Sequence, residues 1–454
     1  MSSHPWAQNL PDSFVQYQAG RRIYEVECMI PDIAGISRGK AMPATKFEPA
    51  ARIFLPSSIF YQTITGNYAD LDIADQWTEV DVVLRADMST ACAAPWADEV
   101  TLQVIHDVED KHGNPLPVAP RNVLRHILSL YEERGWRPVI APELEFYLTQ
   151  PNTNPSDPIE PSIGRTGRKG IGRQSYSITA VDEYGKVIDD IYEFAEAQGL
   201  ELASVIQEGG AGQLEINLTH GDPLRLADEV FLFKRTIREA ALRNGCFATF
   251  MAKPMKDEPG SAMHIHQSVV DTVTGMNIFS HADGSETDLF RHFIGGCQKH
   301  FWAATALFAP YVNSFRRFSG GDSAPTNIEW ATDNRTTGLR IPVSSPDSRR
   351  VENRVVGMDC NPYLAIAGSL ACGYLGMINA DQPREPASGE GYGRGLSLPR
   401  SLFTALKRLS EDAAFRRTIG EEFCMIYEGI KHAELEEFQN EISPWEREHL
   451  LLTV

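Results

Sequence analysis

The chain reads as two domains in which strands and helices mix, on three observations. Its 454 residues exceed what one hydrophobic core usually serves. Residues 20–115 are dense in short β-like runs separated by turns. Beyond them, strand-like and helix-like patterns mix until 360–440, which is mostly helical. The boundaries expected are an N-terminal extension over 1–19, a small strand-rich domain over 20–115 and a large domain over 116–454.

The elements follow in order. "RRIYEVECMI", "ARIFLPSSIFYQ", "EVDVVLRAD" and "EVTLQVIHDV" supply the strands of the first domain. "KHGNPLPVAPRN", with three prolines and a glycine, marks the boundary. "RNVLRHILSLYEERG" has apolar residues at 123, 124, 127, 128 and 131, an amphipathic helix stopped by Gly135. Helices are expected over 225–244 and 287–309. "GRTGRKGIGR" (164–173) reads as an exposed glycine-rich loop, and "GISRGKA" lacks the spacing of a phosphate loop.

Composition excludes several classes. Apolar content of 42% and charged content of 23% are those of an ordinary globular protein. No apolar run reaches membrane-spanning length. The start, MSSHPWAQNL, has no basic segment leading into an apolar one, so no signal peptide is expected. Seven scattered cysteines without a CxxC pair suit a reducing cytoplasm. A net charge of −19 argues against nucleic-acid binding.

The chemistry concentrates in a few short stretches. "APELEFYL" places Glu143 and Glu145 on one face of an apolar strand, because side chains alternate across a sheet. "QEGGAGQLEINL" adds Glu208 and Glu215, whose odd separation requires the intervening glycines to break or bulge the strand if both are to point one way. "GSAMHIHQS" puts His264 and His266 on one strand face, and "SRRVENRV" does the same for Arg350, Glu352 and Arg354. Singly, a Glu-x-Glu is usually a solvated edge and a His-x-His is usually packing. Together, carboxylates embedded in apolar strands call for counter-charges, which divalent metals and arginines supply. Oxygen ligands with few imidazoles suit Mg²⁺ or Mn²⁺. Two such ions with arginines such as Arg335, Arg340, Arg316 and Arg317 form the apparatus of phosphoryl transfer from ATP.

These motifs resemble the glutamine synthetase family along nearly the whole chain, from "PDIAGISRGK" through "PELEF", "EGGAGQLEINL", "GSAMHIHQS", "NSFRRF", "NRTTGLRIP" and "RRVENR" to "ISPWEREHL". The resemblance implies an α+β protein, with an N-terminal β-grasp domain and a C-terminal catalytic domain whose curved antiparallel sheet forms half a barrel. It implies a dodecamer of two hexameric rings with active sites between subunits. It implies a reaction in which ATP phosphorylates the side-chain carboxylate of glutamate and an amine displaces phosphate. One metal site then consists of Glu145, Glu208 and Glu215, the other of Glu143, His264 and Glu352. His266, Ser268, Arg340 and Arg350 match positions that meet ATP, Arg335 one near the transferred phosphate, and Gly260, Arg317 and Arg354 glutamate-binding positions.

Departures from the family pattern fall on the amine side. Leu55 stands where typical members carry an ammonium-binding Asp, and Ser323, after Asp322, where they carry a flap Glu. Pro259 replaces an Asn, and the stretch "GLSLPRSL", where some members carry a tyrosine for adenylylation, contains no tyrosine. The wording of "EPGSAMHIHQS" and "SRRVENRVVGMDCNPYLAIAGSLACGYLGM" is similar to that of the γ-glutamylpolyamine synthetases. The expected substrate is therefore a polyamine (putrescine, spermidine or spermine), with Leu55 contacting methylenes and Glu208, Ser323 and Tyr176 near the nucleophilic nitrogen. The alternatives are ammonium, a monoamine such as ethanolamine, or an inactive homologue; the last fits poorly, since all six metal-type residues are present.

Overall fold

The computed structural model describes residues 5–71, 73, 76–319, 324–393 and 396–454. The first sheet is built from β1 (Glu25–Pro31), β2 (Ser37–Pro43), β3 (Ile53–Pro56), β4 (Asp81–Ala86), β5 (Cys92–Ala93) and β6 (Thr101–Glu109), in the order β2-β1-β6-β4-β3 with β5 also on β6. Its central pair, β1 and β6, is parallel. The run 51–62 is a strand only to Pro56, after which Ser57–Tyr61 turn into a 3₁₀ helix. The glycine-containing "GISRGKA" belongs largely to β2, whose Gly39 lies so close to the Cys28 carbonyl that no Cβ fits.

The second sheet holds β7 (Trp136–Thr149), β8 (Leu202–Gln207), β9 (Gln213–Leu218), β10 (Phe247–Thr249), β11 (Met263–Asp271), β12 (Trp330–Thr332), β13 (Leu339–Ile341) and β14 (Val351–Asn353). The order is β12-β13-β14-β11-β7-β9-β8, with β10 on the far end of β7. The sheet is curved and nearly closed, and all its pairings except β12–β13 are antiparallel. β7 is its spine. Pro138 and Pro142 are tolerated there because they share parity with Ile140, whose N–H points to Gly221 and not to β11.

Eleven helices lie among the described residues: α1 (Asp12–Gln18), α2 (Pro120–Glu132), α3 (Ile178–Asp182), α4 (Gly185–Gln198), α5 (Pro223–Arg243), α6 (Asp288–Phe308), α7 (Pro362–Asn379), α8 (Leu402–Glu411), α9 (Ala413–Ile419), α10 (Glu421–Gln439) and α11 (Pro444–Leu450). α2 starts with Pro120 at its first turn and buries Val123, Leu124, Ile127 and Tyr131, as the periodicity predicts. The turn behind it closes at Gly135, whose φ of +70° favours glycine. α7 is apolar on every side and lies centrally, crossing α6 where Gly296 meets Gly376 with no space for a Cβ on either. α4, which the sequence reading did not single out, buries Val187, Ile188, Ile191 and Phe194.

Polar ties join the first sheet to the helices. Asn361 caps α7 through its side-chain oxygen and donates its amide to the carbonyls of Asp32 and Ile33. Buried Arg121 pairs with Asp228 on α5, with Asp107 on β6 and with Asp87. No helix among the described residues is long and apolar enough to cross a membrane.

Candidate active site

Register brings the acidic motifs together. Glu143 faces His264 across β7 and β11, and Glu145 faces Glu215 across β7 and β9. Glu352 on β14 is paired with His266 on β11 and Arg340 on β13. Glu208 and Glu215 share a face because β8 and β9 form a hairpin, not one bulged strand. The Glu208 N–H bonds to the Gln213 carbonyl, so their side chains project together. The turn is compact: a Cβ on Gly210 would collide with the Tyr147 hydroxyl, and Gly212 has φ +76°.

The result is a pocket of about 370 Å³. All six metal-type residues line it: Glu143, Glu145, Glu208, Glu215, His264 and Glu352. So do Tyr176, Gly260, Arg317, Arg335, Arg340 and Arg354. A larger cavity of about 770 Å³ adjoins it, lined by His266, Ser268 and Arg350, and Glu143 lines both. Arg340, grouped with the nucleotide by resemblance, borders the acidic pocket, where it bonds Glu352 at 2.8 Å and Asp333 at 2.7 Å.

The arginines are mostly committed. Buried Arg317 donates to the carbonyls of Val355 and Arg354, both at 2.8 Å. Arg354 pairs with Glu352. Among the described residues, no arginine or lysine comes within ion-pair distance of Glu145, Glu208 or Glu215. Their protonation reflects this. Burial, and then the charge of Glu208, push Glu145 up to about 8. Burial, then Glu143 and Glu145, push Glu215 up to about 9. Glu208 is raised too, by burial foremost. Burial also opposes ionisation of Glu143 and Glu352, but hydrogen bonds from His264 and His266 hold Glu143 far below the usual range. Arg354 and the same two histidines hold Glu352 at about 2.

The donor set fits divalent cations. Glu143, Glu215 and His264 place one ligand atom each within 4.8 Å of one another, and so do Glu143, His266 and Glu352. Hard carboxylate oxygens with an imidazole suit Mg²⁺ or Mn²⁺. These groupings cut across the two sets drawn from resemblance, because Glu143 sits centrally. It accepts from His266 Nε2 at 2.9 Å and from His264 Nδ1 at 3.2 Å. His266 Nδ1 in turn accepts from Arg350 Nε at 3.2 Å, which places the ring proton on Nε2. His266 thus links the larger cavity to the carboxylates.

Other sequence-marked residues fall as follows. Gly260 is required by close approach: a Cβ there would lie 2.6 Å from both the Ala252 carbonyl and Arg317 Cγ. Tyr176 is exposed at the pocket rim with φ +63°, held by its N–H to the Gln207 carbonyl. Leu55 is 9% exposed in the core of the first sheet, opposite Val82, and is not part of this chain's acidic pocket. Ser323 lies outside the described residues. Sequence reasoning passed over Gln213, Ile206 and Ser175, which line the pocket, and Tyr147, whose hydroxyl holds the Pro259 carbonyl at 2.7 Å. Gln213 sat within a quoted motif, but nothing in its spacing reveals where its amide points.

The fold and this pocket define a class, and comparison with known proteins specifies it. Residues 117–450 match the glutamine synthetase catalytic domain. The chain is 34% identical to γ-glutamylputrescine synthetase PuuA of Escherichia coli K12, covering 94% of this chain and 91% of that one. It is 31% identical to a glutamate–isopropylamine ligase of a Pseudomonas species, covering 91% and 92%. The solved structure of apo GmaS without ligand superposes with a TM-score of 0.82 at 25% identity, over 97% of this chain and 99% of that one. The chain therefore belongs to the glutamine synthetase family. Its members are ATP-dependent glutamate–amine ligases that use divalent metal ions, and this chain is such a ligase.

Proposed function

We propose that this ligase joins the γ-carboxylate of glutamate to one end of a polyamine, through γ-glutamyl phosphate, in polyamine catabolism. The observation that carries the reading is the surroundings of Glu208: a carboxylate that lines the pocket together with Ile206 and the exposed Tyr176. A carboxylate attracts an alkylammonium head, and apolar surface beside it accepts methylenes. Leu55 and Ser323, in place of two anionic ammonium-binding positions, support the same reading, as does the similarity to PuuA.

In this reading Gly260, Arg317 and Arg354 bind glutamate, while His266, Ser268, Arg340 and Arg350 meet ATP. Mg²⁺ or Mn²⁺, held by Glu143, Glu145, Glu208, Glu215, His264 and Glu352, neutralises phosphate charge when bound. Arg335 is the pocket arginine left most exposed, and it stabilises the charge that develops on the transferred phosphoryl group. A primary alkylamine has a pKa of about 10.4, so a proton must leave before attack. Glu208, the carboxylate that lines the pocket with Tyr176, takes it. The active form is a cytoplasmic dodecamer of two hexameric rings, in which Leu55 of one subunit approaches the neighbouring site.

The test is kcat/KM for putrescine, spermidine, spermine, ethanolamine, isopropylamine and ammonium, read as ADP release. A di- or polyamine is expected to lead by at least tenfold. Ethanolamine or isopropylamine in the lead establishes the second reading, a monoamine ligase, which the Pseudomonas relative favours. Light scattering tests the assembly.

A further inference from the structure

We infer that Gln213 is a positioning residue that ties the amine-side turn at Glu208 to the glutamate-side loop at Gly260, so that occupancy of one is felt at the other. The inference rests on the reading of those two segments given above. Gln213 opens β9 and is 1% exposed. Its amide reaches three parts of the chain. Oε1 accepts the N–H of Gly210 at 2.9 Å. Nε2 donates to the Gly260 carbonyl at 3.0 Å and reaches Glu145 Oε2 at 3.5 Å. A backbone N–H requires the amide oxygen and a carbonyl requires the amide nitrogen, so only this orientation satisfies both partners. The backbone of Gln213 adds two more ties to the turn, accepting from the Glu208 N–H at 2.9 Å and donating to the Gly210 carbonyl at 3.2 Å.

Gln207 supplies the contrast. It is 2% exposed, and its Nε2 holds the carbonyls of Glu208 at 3.1 Å and Gly210 at 3.0 Å. It grips the same turn but makes no hydrogen bond to the Gly260 loop among the described residues. Both glutamines stiffen the turn, and of the two only Gln213 reaches the Gly260 carbonyl; beside it, the Ala211 N–H of the turn donates to Glu258 Oε2 at 3.0 Å. A buried amide cannot find water in place of a lost partner, so breaking the link leaves the Gly210 N–H and the Gly260 carbonyl short of a bond.

Methionine has nearly the volume of glutamine and none of its hydrogen bonds. Gln213→Met is expected to raise the KM for glutamate and the KM for the amine each about tenfold, with the KM for ATP changed less than twofold. Gln207→Met is expected to raise the KM for the amine alone. A Gln213→Met enzyme in which only one of the two constants moves overturns the inference, as does a Gln207→Met enzyme that moves both equally. Amide hydrogen exchange on the unmodified protein decides the matter if either variant fails to fold. Glutamate is expected to slow exchange over 208–212 as well as over 259–263. Slowing over 259–263 alone refutes the coupling. No change over either segment refutes the placement of glutamate, and the inference with it.

Discussion

Glu145 stands directly opposite Glu215 across two paired strands, both side chains buried and neither within ion-pair distance of an arginine or lysine among the described residues. Adjacent buried carboxylates repel and lose hydration, so the protein holds them as protonated groups well above the usual carboxylate range. Such an arrangement suits cations better than protons.

The stability of metal-free protein is therefore expected to fall as pH rises. A carboxyl whose folded pKa is raised stabilises the fold fully below its unfolded value of about 4.5, and that contribution is lost as pH climbs through the folded value. For Glu145 and Glu215 the window closes at about 8 and about 9. Calorimetry in chelator should show Tm falling between pH 6 and 9. Added Mg²⁺ should restore it, by more at the higher pH, with proton release on binding. A Tm that does not depend on pH in chelator would contradict the charge arrangement.

Glu215→Gln removes one of the repelling pair and one ligand. In chelator at pH 9 its Tm is expected to exceed that of the unmodified protein, while ligation falls at least a hundredfold, about 2.7 kcal/mol. Glu145→Ala and Glu352→Ala should abolish turnover also. Near-normal ADP formation by any of the three would remove that residue from the metal set.

Arg335→Ala should lower kcat about a hundredfold and change the KM for ATP by less than threefold, since contacts made mainly in the transition state are read in kcat. Loss of ATP affinity at unchanged kcat would make Arg335 a ground-state contact.

Gly260→Ala should raise the KM for glutamate strongly. Its methyl would overlap the Ala252 carbonyl and Arg317 Cγ, and overpacking of this kind costs about 1–3 kcal/mol. Because Arg317 is anchored by two carbonyls it cannot easily retreat. An unchanged glutamate KM in a folded variant would place glutamate elsewhere.

Much of this was legible in the sequence, for reasons that differ by residue. Alternation alone put Glu143 with Glu145 and His264 with His266 on shared faces, and the register confirms both. The parity conflict between Glu208 and Glu215 correctly announced a break, though the hairpin that resolves it depends on β8 pairing with β9. Roles set by tertiary contact were not legible. The amide of Gln213 and the hydroxyl of Tyr147 act through partners some 50 and 110 residues away, as with Gly260 and Pro259. Leu55 shows the reverse limit: its place in the family pattern implies an amine contact in a neighbouring subunit's site, while within its own chain it is core.

The most direct test of the central claim is a competition in one vessel. Glutamate, ATP and Mg²⁺ are supplied with equimolar putrescine and ammonium near neutral pH, and the products are weighed by mass spectrometry. The account predicts γ-glutamylputrescine in large excess over glutamine, with one ADP formed per product. Glutamine in excess would contradict it and make this protein a glutamine synthetase with an unusual ammonium site.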